Sequence, residues 1–279
     1  MFRVVLVLAL AGVVNSLDSR TILQYLGDNA QFSTLLGLLR DTHLDLVLQA
    51  PGAVYTMFAP TNSAFANLDP GLLDYIKGDP RLLQRVLMGH VLDSPFISLD
   101  MKNEHTERTL DGDIVRFNIY DNGKIYTVGG AAIIHGDDVL KNGVIHTIND
   151  VILPAEGDIL QQILVDDLEF EDLTAAMAAL TLFAPTNAGF LKRFPTADSI
   201  PSDMNQVKEL LQNHVVNGTY YKAGLKDGDV LTTLAGNTLA ITRTGTSQVR
   251  VNGHLIDGDI FATNGIIHVM NDILDPNGN

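Results

Sequence analysis

Three blocks of this sequence occur twice, in the same order and at nearly the same spacing, and this duplication constrains the fold more than any other feature. Tyr55-Thr56-Met57-Phe58-Ala59-Pro60-Thr61-Asn62 returns as Leu180-Thr181-Leu182-Phe183-Ala184-Pro185-Thr186-Asn187. Leu87-Met88-Gly89-His90-Val91-Leu92 returns as Leu211-Gln212-Asn213-His214-Val215-Val216. Asn142-Gly143-Val144-Ile145-His146-Thr147-Ile148-Asn149-Asp150 returns as Asn264-Gly265-Ile266-Ile267-His268-Val269-Met270-Asn271-Asp272. The offset is 125 residues from Phe58 to Phe183, 124 from His90 to His214 and 122 from His146 to His268. A period that long duplicates a whole domain, whereas solenoid units are shorter.

The pattern predicts two tandem domains, at 17–154 and 155–276, behind a signal peptide at 1–16. Arg3 gives that leader its positive end, Val4 to Val14 its apolar run and Val14-Asn15-Ser16 a small-residue cleavage site. The apolar run is too short to span a bilayer, which takes about 20 residues, and no later stretch approaches that length. A soluble, secreted product is the expectation.

Within a copy, helix signals precede strand signals. Asp79-Pro80 before Leu82, Leu83, Val86, Leu87 and His90 reads as a capped helix with an apolar stripe, ending near Leu92. Val115, Phe117 and Ile119 alternate with polar residues, and Asp121-Asn122-Gly123 leads into Lys124 to Val128, which reads as a hairpin. Leu239, Ile241, a turn at Thr244-Gly245-Thr246, then Val249 and Val251 repeat it. Each copy closes on a β-branched strand, around Ile145 to Ile152 and Ile266 to Ile273. Helices followed by short antiparallel strands describe an α+β domain. In the pentapeptide, Pro60 stops a strand and Thr61 or Asn62 caps a short helix carrying Phe65 and Leu68.

Composition narrows the function classes. Hydrophobic residues make up 46% of the chain and charged residues 18%, which suits packed cores rather than disorder. The chain has no cysteine, so each core must hold without disulfides. A formal charge of −15 opposes nucleic-acid binding, which depends on lysine and arginine at phosphates. Cationic surfaces, divalent cations and other proteins remain as partners.

On its three repeated blocks the chain resembles the fasciclin family, over nearly the whole length beyond residue 16. The resemblance implies a wedge of about seven mostly antiparallel strands with several packed helices. It also implies a non-enzymatic role outside the cell: adhesion through cell-surface receptors of the integrin kind, matrix proteins or homophilic association with like domains. In some members an Asp-Ile pair six residues before the closing glycine is proposed to engage integrins. Asp259-Ile260 matches that pattern in the second copy. Counting back from Gly143 instead reaches Asp137-Asp138, and the chemically closer Asp138-Val139 lies one residue late. A tyrosine-histidine pair is another proposed motif; here Gly89 and Asn213 precede His90 and His214, so the tyrosine is missing.

The second copy also differs in length. Ile22 to Phe58 spans 36 positions and Ile159 to Phe183 spans 24, so about twelve residues around Leu44 to Gly52 have no counterpart. A truncated helix pair and a less stable second domain are expected, unless the gap reflects a gene-model or splicing error.

The remaining motifs favour structural roles. His90, His146, His214 and His268 read as partly buried imidazoles bonded to backbone, because no second histidine or cysteine lies at metal-ligand spacing. Asp111-Gly112-Asp113, Asp227-Gly228-Asp229 and Asp257-Gly258-Asp259 fail as calcium loops, since the twelfth positions hold Asn122, Thr238 and His268 instead of glutamate. They read as turns. Asn217-Gly218-Thr219 is a glycosylation acceptor pattern, placed in a loop after a helix. Nucleophile elbows, zinc-protease helices and phosphate-cradling glycine loops are missing, so neither catalysis nor a cofactor or metal is expected. The alternative to adhesion is an extracellular carbohydrate-, calcium- or mineral-associated protein using its acidic surface.

Overall fold

The computed structural model describes residues 18–155, 179–196, 199–245 and 248–275. The signal peptide expected at 1–16 and the shortened lead-in around Ile159 lie outside the described residues. The chain divides into two compact units, Met1–Pro154 and Ala155–Asn279.

In the first unit the helices come first: α1 (Ile22–Asp28), α2 (Ser33–Asp41) and α3 (Leu44–Val47). Strand β1 (Tyr55–Pro60) follows, then α4 (Asn62–Asn67), α5 (Pro70–Gly78) and α6 (Pro80–Met88). The strands after them are β2 (Val91–Leu92), β3 (His105–Arg108), β4 (Ile114–Tyr120), β5 (Ile125–Val128), β6 (Ala131–Leu140) and β7 (Gly143–Ile148). They form one seven-stranded sheet in the order β2-β1-β7-β6-β5-β4-β3. Only β1 and β7 run parallel, pairing Phe58 with His146; the other pairs are antiparallel.

Capping chemistry explains the helix starts. Asp79 accepts the Arg81 and Leu82 amides at 2.9 and 3.3 Å, and Thr61 accepts the Ala64 amide at 3.2 Å. Helix α6 stops at Met88, short of the expected Leu92, because Val91 and Leu92 pair with Met57 and Thr56 in the sheet. Pro60 is the last residue of β1 rather than a residue beyond its end. It lies past the short β2, so no neighbouring strand needs the amide that proline lacks.

Alternation along β1 separates two cores. Met57 and Ala59 join Ile22, Leu26, Phe32, Leu35 and Ile145 under the helices. Phe58 points the other way, among Phe96, Phe117, Val128 and Ile148. Asn62 joins strand to helices: its amide donates to the Ala30 carbonyl at 2.9 Å and its oxygen accepts the Thr34 amide at 2.9 Å.

The second unit repeats the sheet with β8 (Leu180–Pro185), β9 (Val215–Asn217), β10 (Val230–Thr232), β11 (Thr238–Thr244), β12 (Gln248–Val251), β13 (His254–Ala262) and β14 (Gly265–Met270). The order is β10-β11-β12-β13-β14-β8-β9, with β8 and β14 parallel. Helices α7 (Asn187–Arg193) and α8 (Met204–Gln212) lie between β8 and β9. Thr186 caps α7, accepting the Gly189 amide at 3.1 Å. Each unit is thus an α+β domain with a seven-stranded sheet.

Candidate functional site

The repeated blocks meet inside each domain. Phe58 stacks on His146 with ring centroids 5.5 Å apart, and Phe183 stacks on His268 at 5.3 Å. These four side chains are buried, so the Phe-Ala-Pro-Thr-Asn block and the closing histidine build the core. The expected partial burial of the closing histidines is exceeded: both are wholly enclosed.

The mid-domain histidines act as clasps. His90 Nδ1 donates to the Val86 carbonyl at 2.7 Å, and its Nε2 accepts the Ile152 amide at 2.9 Å. His214 repeats this with the Leu210 carbonyl at 2.8 Å and the Leu274 amide at 2.9 Å. A carbonyl only accepts and an amide only donates, so each ring is neutral with its proton on Nδ1. Burial pushes the His90 imidazole down to about 4 and lowers His214 too, against the pull of their carbonyl bonds.

The residues that precede the clasp histidines differ: Asn213 is buried and Gly89 is half-buried. Asn213 donates to the Leu274 carbonyl at 2.7 Å and accepts from Thr233 and Asn237 at 3.3 and 3.2 Å. Its counterpart Gly89 has no side chain, and the enclosed Asp111 carboxylate lies nearby: a Cβ on Gly89 would stand 3.9 Å from Asp111 Oδ2. His90 and His214 are themselves buried, and neither follows a tyrosine.

The Asp259-Ile260 segment and its counterpart in the first domain diverge. A buried threonine ties down the same loop in both: Thr56 bonds the Ser94 carbonyl at 2.7 Å and the Phe96 amide at 2.8 Å, and Thr181 bonds the Gly218 carbonyl at 2.8 Å and the Tyr220 amide at 2.9 Å. These loops aim a carbonyl at the closing histidine. His146 Nε2 donates to Phe96 O at 2.9 Å, and His268 Nε2 donates to Tyr220 O at 2.8 Å. Two residues further on stand Ser98 and Lys222, and each reaches an aspartate: the Ser98 amide donates to Asp137 at 2.8 Å, and Lys222 Nζ lies 3.2 Å from Asp259. Asp137 and Asp259 are therefore the equivalent acids.

Their relation to the histidine differs. Strand β6 holds one residue more than β13, and its register shifts between His135 and Asp138. Asp137 stands out of the ladder at φ 63, and its carboxylate stays 4.0 Å from His146 Nδ1, which accepts the Asp137 amide at 3.3 Å instead. Burial lowers the His146 imidazole, with the Phe96 carbonyl and nearby acids pulling the other way. Asp259 stays in the ladder opposite His268, and their Oδ1 and Nδ1 atoms are 2.7 Å apart. Burial works to raise the Asp259 carboxyl, but the His268 bond and the charges of His268 and Lys222 outweigh it and hold the carboxyl below the usual carboxylate range.

The other sequence candidates fall as follows. The Asp259 side chain is 20% exposed and turned inward, whereas Ile260 is 39% exposed. At Ile260's rung the first domain has Asp138, paired with Ile145 as Ile260 is with Ile267. Asp138 accepts the Tyr25 hydroxyl at 2.7 Å; the burial of Tyr25 first, and then that bond, push the tyrosine hydroxyl up. Val139 packs beside Ile97 and Val144, at the rung where the second domain places Phe261 against Tyr221. Asn187 is exposed, unlike the bridging Asn62, and Pro185 ends β8 as Pro60 ends β1. Asn217 is exposed but belongs to β9 rather than to a loop. Asp111-Gly112-Asp113 and Asp227-Gly228-Asp229 make turns with glycine at positive φ. Asp257-Gly258-Asp259 does not; it lies within β13 at a register shift. Lys222 and Tyr220 escaped sequence reasoning, since their loop shares no repeated residues with the first copy, whereas Thr56 and Thr181 lay in plain view inside a repeated block.

A family model described as the fasciclin domain matches the chain twice, over residues 30–154 and 159–276. The chain belongs to the fasciclin-domain family. Transforming growth factor-beta-induced protein ig-h3 of Sus scrofa is 31% identical over 247 residues, which is 82% of this chain and 35% of that protein. Periostin of Homo sapiens is 29% identical over 233 residues, 80% of this chain and 27% of that protein. The chain therefore spans between about a quarter and a third of the length of these relatives. A solved FAS1 domain pair from the insect cell adhesion molecule fasciclin I covers 89% of this chain and 98% of its own, at 18% identity and a TM-score of 0.42.

Proposed function

We propose that the chain is an extracellular adhesion or matrix protein that works by surface contact with receptors, matrix proteins or like domains, and not by catalysis. The observation that supports it is that two fasciclin domains fill the chain from residue 30 to residue 276, apart from a four-residue join. Within them the repeated histidines, the residue types most apt for acid-base chemistry, are occupied in core clasps and stacks. The contact is assigned to Asp259-Ile260 in the second domain, where an apolar side chain is exposed on a strand fixed from beneath. In the first domain Asp138-Val139 offers a tied acid and a packed valine. A glycan on Asn217 would sit on the edge strand β9.

No group of three histidine, aspartate or glutamate side chains gathers around a common point among the described residues, so nothing favours the calcium or mineral alternative. Cell attachment to surfaces coated with the folded full chain tests the proposal. Attachment above that on heat-unfolded chain is expected; equal attachment on both overturns it.

A further inference from the structure

We propose that the second domain carries an open apolar recess, bordered by Leu182, Leu211, Val215 and Leu234, that takes a short leucine-bearing helix from a partner protein. This surface is separate from the Asp259-Ile260 contact, and either can fail without the other.

The first domain shows what belongs on this face. Leu44 and Val47 of α3 and Leu48 just after it border one narrow crevice with Met88, Val91 and Leu110. Leu44 and Leu48 are buried there, one helical turn apart, so a single turn closes the core over the end of α6 and over β2. Asn142 fixes the end of that turn, its amide donating to the Leu48 carbonyl at 2.9 Å.

The second copy keeps the face, but its sequence lacks the cover: the stretch around Leu44 to Gly52 is the one without a counterpart ahead of β8. The repeated blocks match Met57 with Leu182, Leu87 with Leu211 and Val91 with Val215. A shared bond matches Leu110 with Leu234, because their amides donate to the carbonyls of Val91 and Val215, both at 2.8 Å. Met57, Leu87 and Val91 are at most 2% exposed, and Leu110 is half-buried. Of their counterparts, Leu182 and Val215 are half-buried, while Leu211 and Leu234 are 62% and 43% exposed. Val215 pairs with Leu182 in the sheet and holds the Leu234 amide, and Leu211 stands where Leu87 joins Met57 and Val91 in the first core. Four matched losses of cover in one place set this patch apart from apolar side chains that are exposed singly.

The space left open is that of one helical turn, walled by α8, β9 and the chain at Leu234. A second copy's recess laid against it would trap a void between two concave faces, which close packing disfavours. A protruding turn with two leucines four positions apart fills it, as α3 fills the first domain. The asparagine that ends such a turn is kept as Asn264.

The probe is a synthetic peptide with the sequence of residues 41–53, added to the full chain while leucine and valine methyl signals are followed. Shifts at Leu211, Val215 and Leu234, with Leu87 and Val91 unmoved, are expected at a dissociation constant of about 1 mM or tighter, a modest affinity because a lone turn must be ordered on binding. The peptide carrying Leu44→Ser and Leu48→Ser should bind about tenfold more weakly or worse, as loss of buried anchors does. In the full chain, Leu211→Glu changes an exposed side chain and should abolish the shifts. Inserting residues 42–53 ahead of Ala179 should abolish them too and raise the denaturation midpoint of the second domain. No shifts at about 5 mM peptide, equal binding by the serine peptide, or shifts centred elsewhere overturn the proposal. Shifts that persist in either folded variant do the same. Broadening of these methyl signals that grows with chain concentration, without peptide, assigns the face to a second copy and also overturns it. The titration uses the unaltered chain, so it decides even where the insertion does not fold.

Discussion

His90 holds the Ile152 amide at 2.9 Å across 62 positions of chain, joining the end of helix α6 to the segment that leaves the first domain. The bond needs a bare Nε2, so it exists only while the ring is neutral. The ring is fully buried and titrates near 4 in the folded domain, against 6.5 when free. As pH falls, the unfolded chain therefore binds the proton first. Stability should be complete above 6.5, decline between 6.5 and about 4, and lose about 3 kcal/mol by the lower end. His214, lowered by the same cause, pushes the second domain in the same direction. Denaturant titrations at pH 7.5 and pH 4 check this. Replacing His90 by glutamine should weaken the domain at neutral pH and flatten its response to acid.

Gly143 is irreplaceable on steric grounds. A Cβ there would stand 2.1 Å from the Tyr55 carbonyl oxygen, where β1 and β7 begin their parallel pairing. Gly143→Ala should destabilise the first domain by about 3 kcal/mol, the upper range for forcing atoms into a packed site, read as a shift of its denaturation midpoint. By contrast, a Cβ on Gly37 in α2 would have nothing within 4 Å, and alanine there should be neutral or mildly stabilising.

Asn213 stands at the position that Gly89 holds in the first domain, where a Cβ would lie 3.9 Å from Asp111 Oδ2. Installing asparagine at Gly89 should crowd Asp111 and destabilise the first domain, since even a Cβ meets the Val86 carbonyl at 3.2 Å. Removing the Asp111 carboxylate as well should recover part of the loss. A double-mutant cycle of Gly89→Asn with Asp111→Ala should show a favourable coupling of about 1 kcal/mol. A coupling of zero would mean that the two side chains do not compete.

Much of the fold was legible because local chemistry dictates it. Asp79-Pro80 and Thr61 cap helices wherever the chain places them, and alternation at Val115 and Phe117 marks a half-buried strand. The parallel pairing of β1 with β7 was not legible, because it joins segments separated by most of the domain and leaves no local mark. Nor was the placement of Asp257-Gly258-Asp259 in a strand, since a β-bulge uses the same glycine-and-aspartate vocabulary as a turn. The candidate contact was half legible. Asp259-Ile260 could be found by counting back from Gly265, but the inward turn of Asp259 depends on Lys222 and His268, which only the folded sheet brings together.

The most direct test of the account compares one rung in the two domains. Ile260→Ser and Asp138→Ser change the residues paired with Ile267 and Ile145, and each is made in the full chain with folding checked by circular dichroism. In a cell-attachment assay on coated protein, the account predicts a clear loss for Ile260→Ser and parental attachment for Asp138→Ser. Equal attachment by the two folded variants would contradict it.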